Sequence, residues 1–139
     1  MKNKLKQHIA VTTVFNFLDP VLCFPSQLNQ VFINLFNNAY DAMKGSGTLS
    51  VSVDSVETMV RISVLDTGTG IPEGDLQKIF NPGFTTKGVG VGTGLGLSIC
   101  YRIIVEKHGG RIWAENNPTG GAAILIDLPI RGKEANAHG

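Results

Sequence analysis

No apolar run in this 139-residue chain approaches the roughly 20 residues that a membrane-spanning helix needs. The basic stretch from Met1 to His8 leads into no signal-type apolar core. Only two cysteines are present. Cys23 and Cys100 each sit in apolar company, which reads better as buried thiols in a reducing compartment than as a disulfide framework. The three histidines, His8, His108 and His138, are far apart, and no His-Glu-x-x-His, paired Cys-x-x-Cys or Gly-x-Ser-x-Gly occurs. The motifs of zincin proteases, zinc ribbons and nucleophile-elbow hydrolases are therefore missing, and a metal site built on the histidines is disfavoured. Charge is scarce as well: 17% of residues are charged and the net charge is +1, which leaves no basic footprint for nucleic acid. Internal repeats and low-complexity segments are absent.

What is present is an ordinary globular composition, 42% apolar, at the size of one domain. Ile9 to Phe15 is β-branched and aromatic and predicts a strand, with Val21 to Phe24 as a short second one. Pro25-Ser26 opens a helix, Ser26 as its N-cap, that runs to about Met43 before Gly45. Thr48 to Val56 alternates Leu49, Val51 and Val53 against polar residues, and Met59 to Leu65 sets Val60, Ile62 and Val64 on one face. A short helix is expected after Pro72, ending near Phe80, then a glycine-rich loop over Gly83 to Gly92. A long helix follows from about Thr93 to His108, stopped by Gly109-Gly110. Arg111 to Glu115 and Ala122 to Ile130 complete the chain as strands. The expected fold is an α+β two-layer sandwich: a mixed, mostly antiparallel five-stranded sheet with about three helices on one face. Residues 1–8 form a lead-in, 9–131 the domain and 132–139 a frayed tail.

On the first long helix, Leu28, Phe32, Leu35, Ala39, Ala42 and Met43 share a face, and Ile33, Phe36 and Tyr40 widen it, so the helix should be largely buried. Gln30, Asn34, Asn38 and Asp41 fall in one narrow strip, with Asn38 at the apolar margin where its carboxamide is half-buried. Asparagines inside a helix cost local stability. By itself the strip also fits a solvated polar face. Asp66-Thr67-Gly68-Thr69-Gly70-Ile71 follows a strand directly; its glycines allow a tight turn and close approach of a ligand to backbone, although ordinary turns carry the same pattern. Gly88, Gly90, Gly92, Gly94 and Gly96 alternate into a helix start, which offers backbone N–H groups beside a positive helix end, with Lys87 just before. In physical terms this is a phosphate site, although a mobile linker is also rich in glycine; the apolar helix that follows favours the first reading. It is neither a P-loop, since Gly88 is followed by Val89, nor a dinucleotide fingerprint, since the third position after Gly92 and Gly94 is Leu97.

Taken in order, these segments resemble the catalytic domain of histidine kinases, in the superfamily shared with gyrase, heat-shock protein 90 and mismatch-repair ATPases. Gln30 to Ala42 looks like the N box, Asp66 to Ile71 the G1 box, Ile79 to Lys87 the F box and Gly92 to Ser98 the G2 box; Thr119-Gly120-Gly121 is similar to the final glycine motif. The resemblance runs from about Ile9 to Pro129. It implies ATP and Mg²⁺ as ligands, with Asn38 giving a carbonyl oxygen to the metal. It implies that Asp66 accepts from the adenine amino group beside Gly68, Gly70 and Ile71, and that Asp41 also lines the nucleotide site. Lys87, Thr85, Thr86, Gly92, Gly94, Leu95, Gly96 and Leu97 would hold the phosphates, and Phe80 and Phe84 would anchor a lid. Asn34 stands where the superfamily's hydrolysing members carry a glutamate, and a carboxamide is no base, so phosphoryl transfer is favoured over water attack. One position departs from the pattern: Ala123 stands where kinases often carry threonine, which removes a hydroxyl near the adenine.

The implied reaction moves the γ-phosphoryl group of ATP to a histidine on a helical dimerisation domain, with a response regulator downstream. No histidine here lies in the expected helical His-Glu or His-Asp context, so the chain is expected to bind ATP without phosphorylating itself. A cytoplasmic, monomeric fragment without direct membrane contact is expected, within a protein whose anchor, if any, lies elsewhere. Three alternatives stand beside this reading: an anti-sigma-factor serine kinase of the same fold, a degenerate domain that binds nucleotide or a partner, and a hydrolysing ATPase.

Overall fold

A computed structural model of the chain describes residues 8–16, 21–82, 84 and 96–130. Five strands form one sheet: β1 (His8–Phe15), β2 (Ser46–Val56), β3 (Met59–Leu65), β4 (Arg111–Asn116) and β5 (Ala122–Pro129), in the order β1-β2-β3-β5-β4. β1 runs parallel to β2, from His8 opposite Ser46 to Phe15 opposite Val53. That pairing requires a crossover, supplied by helix α1 (Pro25–Met43). The other three pairings are antiparallel. The second helix, α2, begins as an α-helix over Gly96–Tyr101 and continues as a π-helix over Arg102–Lys107. The mixed, mostly antiparallel sheet with helices packed on it agrees with the sequence pattern.

The core lies between sheet and helices. Val31, Leu35, Ala39 and Met43, four residues apart along α1, are buried against Leu49 of β2, Val60, Ile62 and Val64 of β3, and Ile126 and Leu128 of β5. Cys100, Ile103 and Ile104 bring α2 onto the same layer. On the opposite face, the register sets Arg61, Asp127 and Arg111 in one row across three strands. Arg61 grips Asp127 through Nε–Oδ1 at 2.8 Å and Nη2–Oδ2 at 2.9 Å, and this bond raises the guanidinium pKa. The guanidinium groups of Arg61 and Arg111 lie 5.2 and 4.7 Å from the Trp113 ring.

Several elements differ from the sequence expectation. Ser26 is not the N-cap: Phe24 takes that position (φ −101°, ψ 99°) without a side-chain cap, because Pro25 fits the first helical turn, where its missing N–H costs nothing. Val21 to Phe24 forms no strand. Leu22 N–H reaches the Ile130 carbonyl, but Phe24 N–H is taken by His108 Nε2, which leaves no ladder. Ile33 and Tyr40 are exposed (54% and 38%), since one sheet covers a single stripe of α1, so less of the helix is covered than the widened apolar arc implied. The segment after Pro72 shortens to one 3₁₀ turn, Glu73–Asp75, followed by turns to Phe80, consistent with Gly74 at its centre. The widened last turns of α2 let His108 fold inward. Its backbone N–H and its ring Nδ1 both point at the Ile103 carbonyl, at 3.1 and 2.8 Å, while Nε2 accepts from Phe24 at 3.0 Å. His8, read as part of the lead-in, already belongs to β1; residues 1–7, the glycine-rich loop apart from Phe84, residues 93–95 of the long helix and the tail lie outside the described residues.

Cys100 has no exposed surface and donates to the Val31 carbonyl at 3.7 Å. Burial pushes its thiol from 9.0 up to about 11, with the Asn34 carboxamide pulling it down. Once unfolded, the thiol ionises near 9.0, so between that pH and about 11 the unfolded state loses a proton that the folded state keeps. Stability is full below this window and falls on the order of 2–3 kcal/mol as pH rises through it. Urea unfolding on both sides of the window should show a smaller alkaline loss in Cys100→Ala than in the parent.

Candidate functional site

Three segments converge beside the sheet: the polar strip of α1, the loop that leaves β3, and the start of α2. On the strip, Gln30 Nε2 donates to Asn34 Oδ1 at 3.1 Å, and Asn34 Nδ2 donates to the Gly96 carbonyl at 3.1 Å. Asn34 is thus a crossbar between the two helices. One turn further on, Asn38 is half-buried and Asp41 exposed; each engages other groups of the chain. Leu97 is half-buried and packs against the core.

The loop from Asp66 to Ile71 is held along its length. Asp66 is 8% exposed, and its backbone N–H continues the sheet to the Ala122 carbonyl at 2.9 Å. Its Oδ1 accepts two backbone N–H groups, Gly68 at 2.9 Å and Ala122 at 3.2 Å. Among the described residues none donates to Oδ2, so a buried carboxylate is fixed in place with one oxygen left to accept. Thr67 Oγ1 accepts from Thr48 N–H at 2.9 Å. Gly68 passes so close to α1 that a Cβ would stand 2.5 Å from the Ala42 carbonyl, which also accepts from Thr69 N–H at 3.3 Å. Gly70 has φ +78°, and Ile71 is tied to Asn116 by two hydrogen bonds. The glycines expected to face a ligand are therefore also demanded by packing against α1 and β4.

Around this loop, Phe80 packs on the core with its ring 6.4 Å from Tyr101, and Phe84, half-buried, donates its N–H to the Asn81 carbonyl. Ala123 is buried in β5, opposite Leu65 on one side and Glu115 on the other. Lys87, Thr85, Thr86, Gly92, Gly94 and Leu95 lie outside the described residues. Sequence reasoning missed Asn116, which sits in a run read only as a connection, and gave Gln30 no contact. The only available signal for Asn116 was a carboxamide at a strand end. Among the described residues no group of three His, Cys, Asp or Glu side chains could hold a metal, and no helix is long and apolar enough to cross a membrane.

Comparison with known proteins agrees with this geometry. The model of the family described as histidine kinase-, DNA gyrase B- and HSP90-like ATPase matches residues 24–132. The sensor protein FixL of Bradyrhizobium diazoefficiens is 41% identical over 114 residues, covering 80% of this chain and 22% of that protein. Among solved structures, the catalytic domain of histidine kinase ThkA superposes with a TM-score of 0.81 at 38% identity, over 94% of this chain and 82% of that one. ThkA in complex with response regulator protein TrrA gives 0.75 at 36% identity, over 88% of this chain and 34% of that one. The chain spans about a fifth of the length of FixL.

Proposed function

Because this chain belongs to the histidine kinase-, DNA gyrase B- and HSP90-like ATPase family, we propose that it binds ATP with Mg²⁺ and presents the γ-phosphoryl group to a histidine on a helical dimerisation domain, from which a response regulator is then served. The observation that carries this reading is the Asp66 carboxylate. Its Oδ1 is anchored by two backbone N–H groups, while Oδ2 is left to accept from a base amino group. Gly68, Gly70 and Ile71 would lie under the base, and Asp41 at the margin of the site. Gly92, Gly94, Leu95, Gly96 and Leu97, with Lys87, Thr85 and Thr86, would hold the phosphates, and Phe80 would anchor the segment that covers them.

The donor chemistry of the α1 strip suits Mg²⁺: a half-buried carboxamide oxygen on Asn38 is a hard ligand of the kind that completes a shell of phosphate oxygens and waters. The metal would neutralise phosphate charge as the transferred group moves. Asn34 has its carboxamide engaged by Gln30 and Gly96 and carries no basic atom, so it orients the strip and does not activate water. That favours transfer to a supplied acceptor over hydrolysis.

Calorimetric titration of ATP, with and without Mg²⁺, tests the reading. The parent chain is expected to bind more tightly with Mg²⁺ present. Asn38→Ala should lose most of that Mg²⁺ gain, about tenfold, and keep its affinity for metal-free ADP. Addition of a separately supplied histidine-bearing helical domain should then yield phosphohistidine. No binding at millimolar ATP would sink the proposal.

A further inference from the structure

We propose that Asn116 is a positioning residue for recognition of the base: its carboxamide grips both backbone groups of Ile71 and so fixes the floor on which the adenine ring would rest. The inference deepens the proposed nucleotide reading and depends on it. Asn116 ends β4, where it pairs with Ala122 of β5. Its Oδ1 accepts from Ile71 N–H at 2.8 Å, and its Nδ2 donates to the Ile71 carbonyl at 2.5 Å. A side chain here imitates one rung of a β-ladder across 45 positions of sequence.

Two further observations make the clamp specific to this loop. Pro72 follows Ile71 and has no N–H, and among the described residues nothing else ties Gly70 or Ile71 to the sheet. Gly70 sits at φ +78°, and a Cβ added there would meet Asn116 Oδ1 at 3.1 Å. The absent side chain and the carboxamide thus occupy complementary space. The clamp closes the far end of the loop whose near end is the Asp66 anchor, so the two together set its height above the sheet.

Calorimetry on the whole chain with AMP, ADP and ATP separates this role from simple loop anchoring. Asn116→Asp keeps the volume and the acceptor but sets a second oxygen against the Ile71 carbonyl; Asn116→Ala removes both bonds. In each variant the three affinities are expected to fall by the same factor, about tenfold, while the Mg²⁺ gain for ATP stays as in the parent. Parent-like affinities, or a lower unfolding temperature with unchanged affinity of the folded chain, overturn the proposal and leave the nucleotide reading standing. A parent that binds none of the three removes both. Should the variants fail to fold, hydrogen exchange of the Ile71 amide in the parent decides: protection that deepens with AMP supports the clamp, and free exchange untouched by AMP overturns it.

Discussion

Gly121→Ala is expected to unfold roughly 10–20 °C below the parent, while Gly120→Ala, one residue earlier, loses about a quarter of that. Both glycines have positive φ, +87° at Gly121 and +112° at Gly120, so both variants carry a backbone strain of order 1 kcal/mol. Only their surroundings differ. A Cβ at Gly120 meets nothing within 4 Å. At Gly121 it would run into the Asp66 carbonyl oxygen and stand 2.8 Å from the carbonyl carbon and 2.9 Å from Thr67 Cα, all of them backbone atoms that no rotamer change can move aside. Relief requires β5 to separate from the end of β3, which costs the bond from Asp66 N–H to the Ala122 carbonyl and the Asp66 anchor on Ala122 N–H. Strain, steric displacement and two lost buried hydrogen bonds together reach roughly 3–5 kcal/mol, a large part of a domain's stability. Thermal unfolding of the two variants side by side checks the claim. Equal losses at the two positions would mean that the β3–β5 junction yields without cost.

The same junction marks where the sequence was legible and where it was not. β3 was read with its true bounds, Met59 to Leu65, because Val60, Ile62 and Val64 alternate over a strand buried on one face only. The Asp66 loop was placed by its glycines, and the half-buried state of Asn38 followed from its position beside Val31. What stayed hidden depends on register. Arg61 and Asp127 are 66 positions apart, and only the β3–β5 pairing makes them a salt bridge. Asn116 reaches Ile71 only because β4 lies beyond β5. Helical periodicity likewise gives the direction of a side chain without the width of what covers it. Ile33 and Tyr40 were therefore read as widening the buried arc, although both are exposed. The widened turn at the end of α2 has no periodic signature at all. It leaves room for His108, whose Nε2 accepts from Phe24 N–H ahead of α1 while Nδ1 points at the Ile103 carbonyl within α2.

Asp66→Asn is expected to fold like the parent and to lose roughly 100-fold in affinity for ATP and ADP. In the parent, Oδ1 accepts from Gly68 and Ala122 N–H, at 2.9 and 3.2 Å. The carbonyl oxygen of an asparagine can take both bonds, so the anchor and the loop survive. The change falls on the other atom: Oδ2, an acceptor, becomes an amide N–H₂, a donor. Set against the amino group of adenine, two donors would face each other, and the charge-assisted hydrogen bond proposed for the parent would give way to an unsatisfied contact at a buried position. The loss of about 2–3 kcal/mol matches a hydrogen bond to a charged group plus the cost of the unpaired donor. The geometry also predicts an inversion. Inosine nucleotides carry a carbonyl where adenosine carries the amino group, so they should bind Asp66→Asn better than ATP does, while the parent prefers ATP. Asp66→Ala, by contrast, removes the acceptor for both backbone groups and should lower the unfolding temperature as well as the affinity. An Asp66→Asn variant that lost ATP and inosine triphosphate equally would assign Asp66 to the loop's structure alone and take away the base contact on which the nucleotide reading rests.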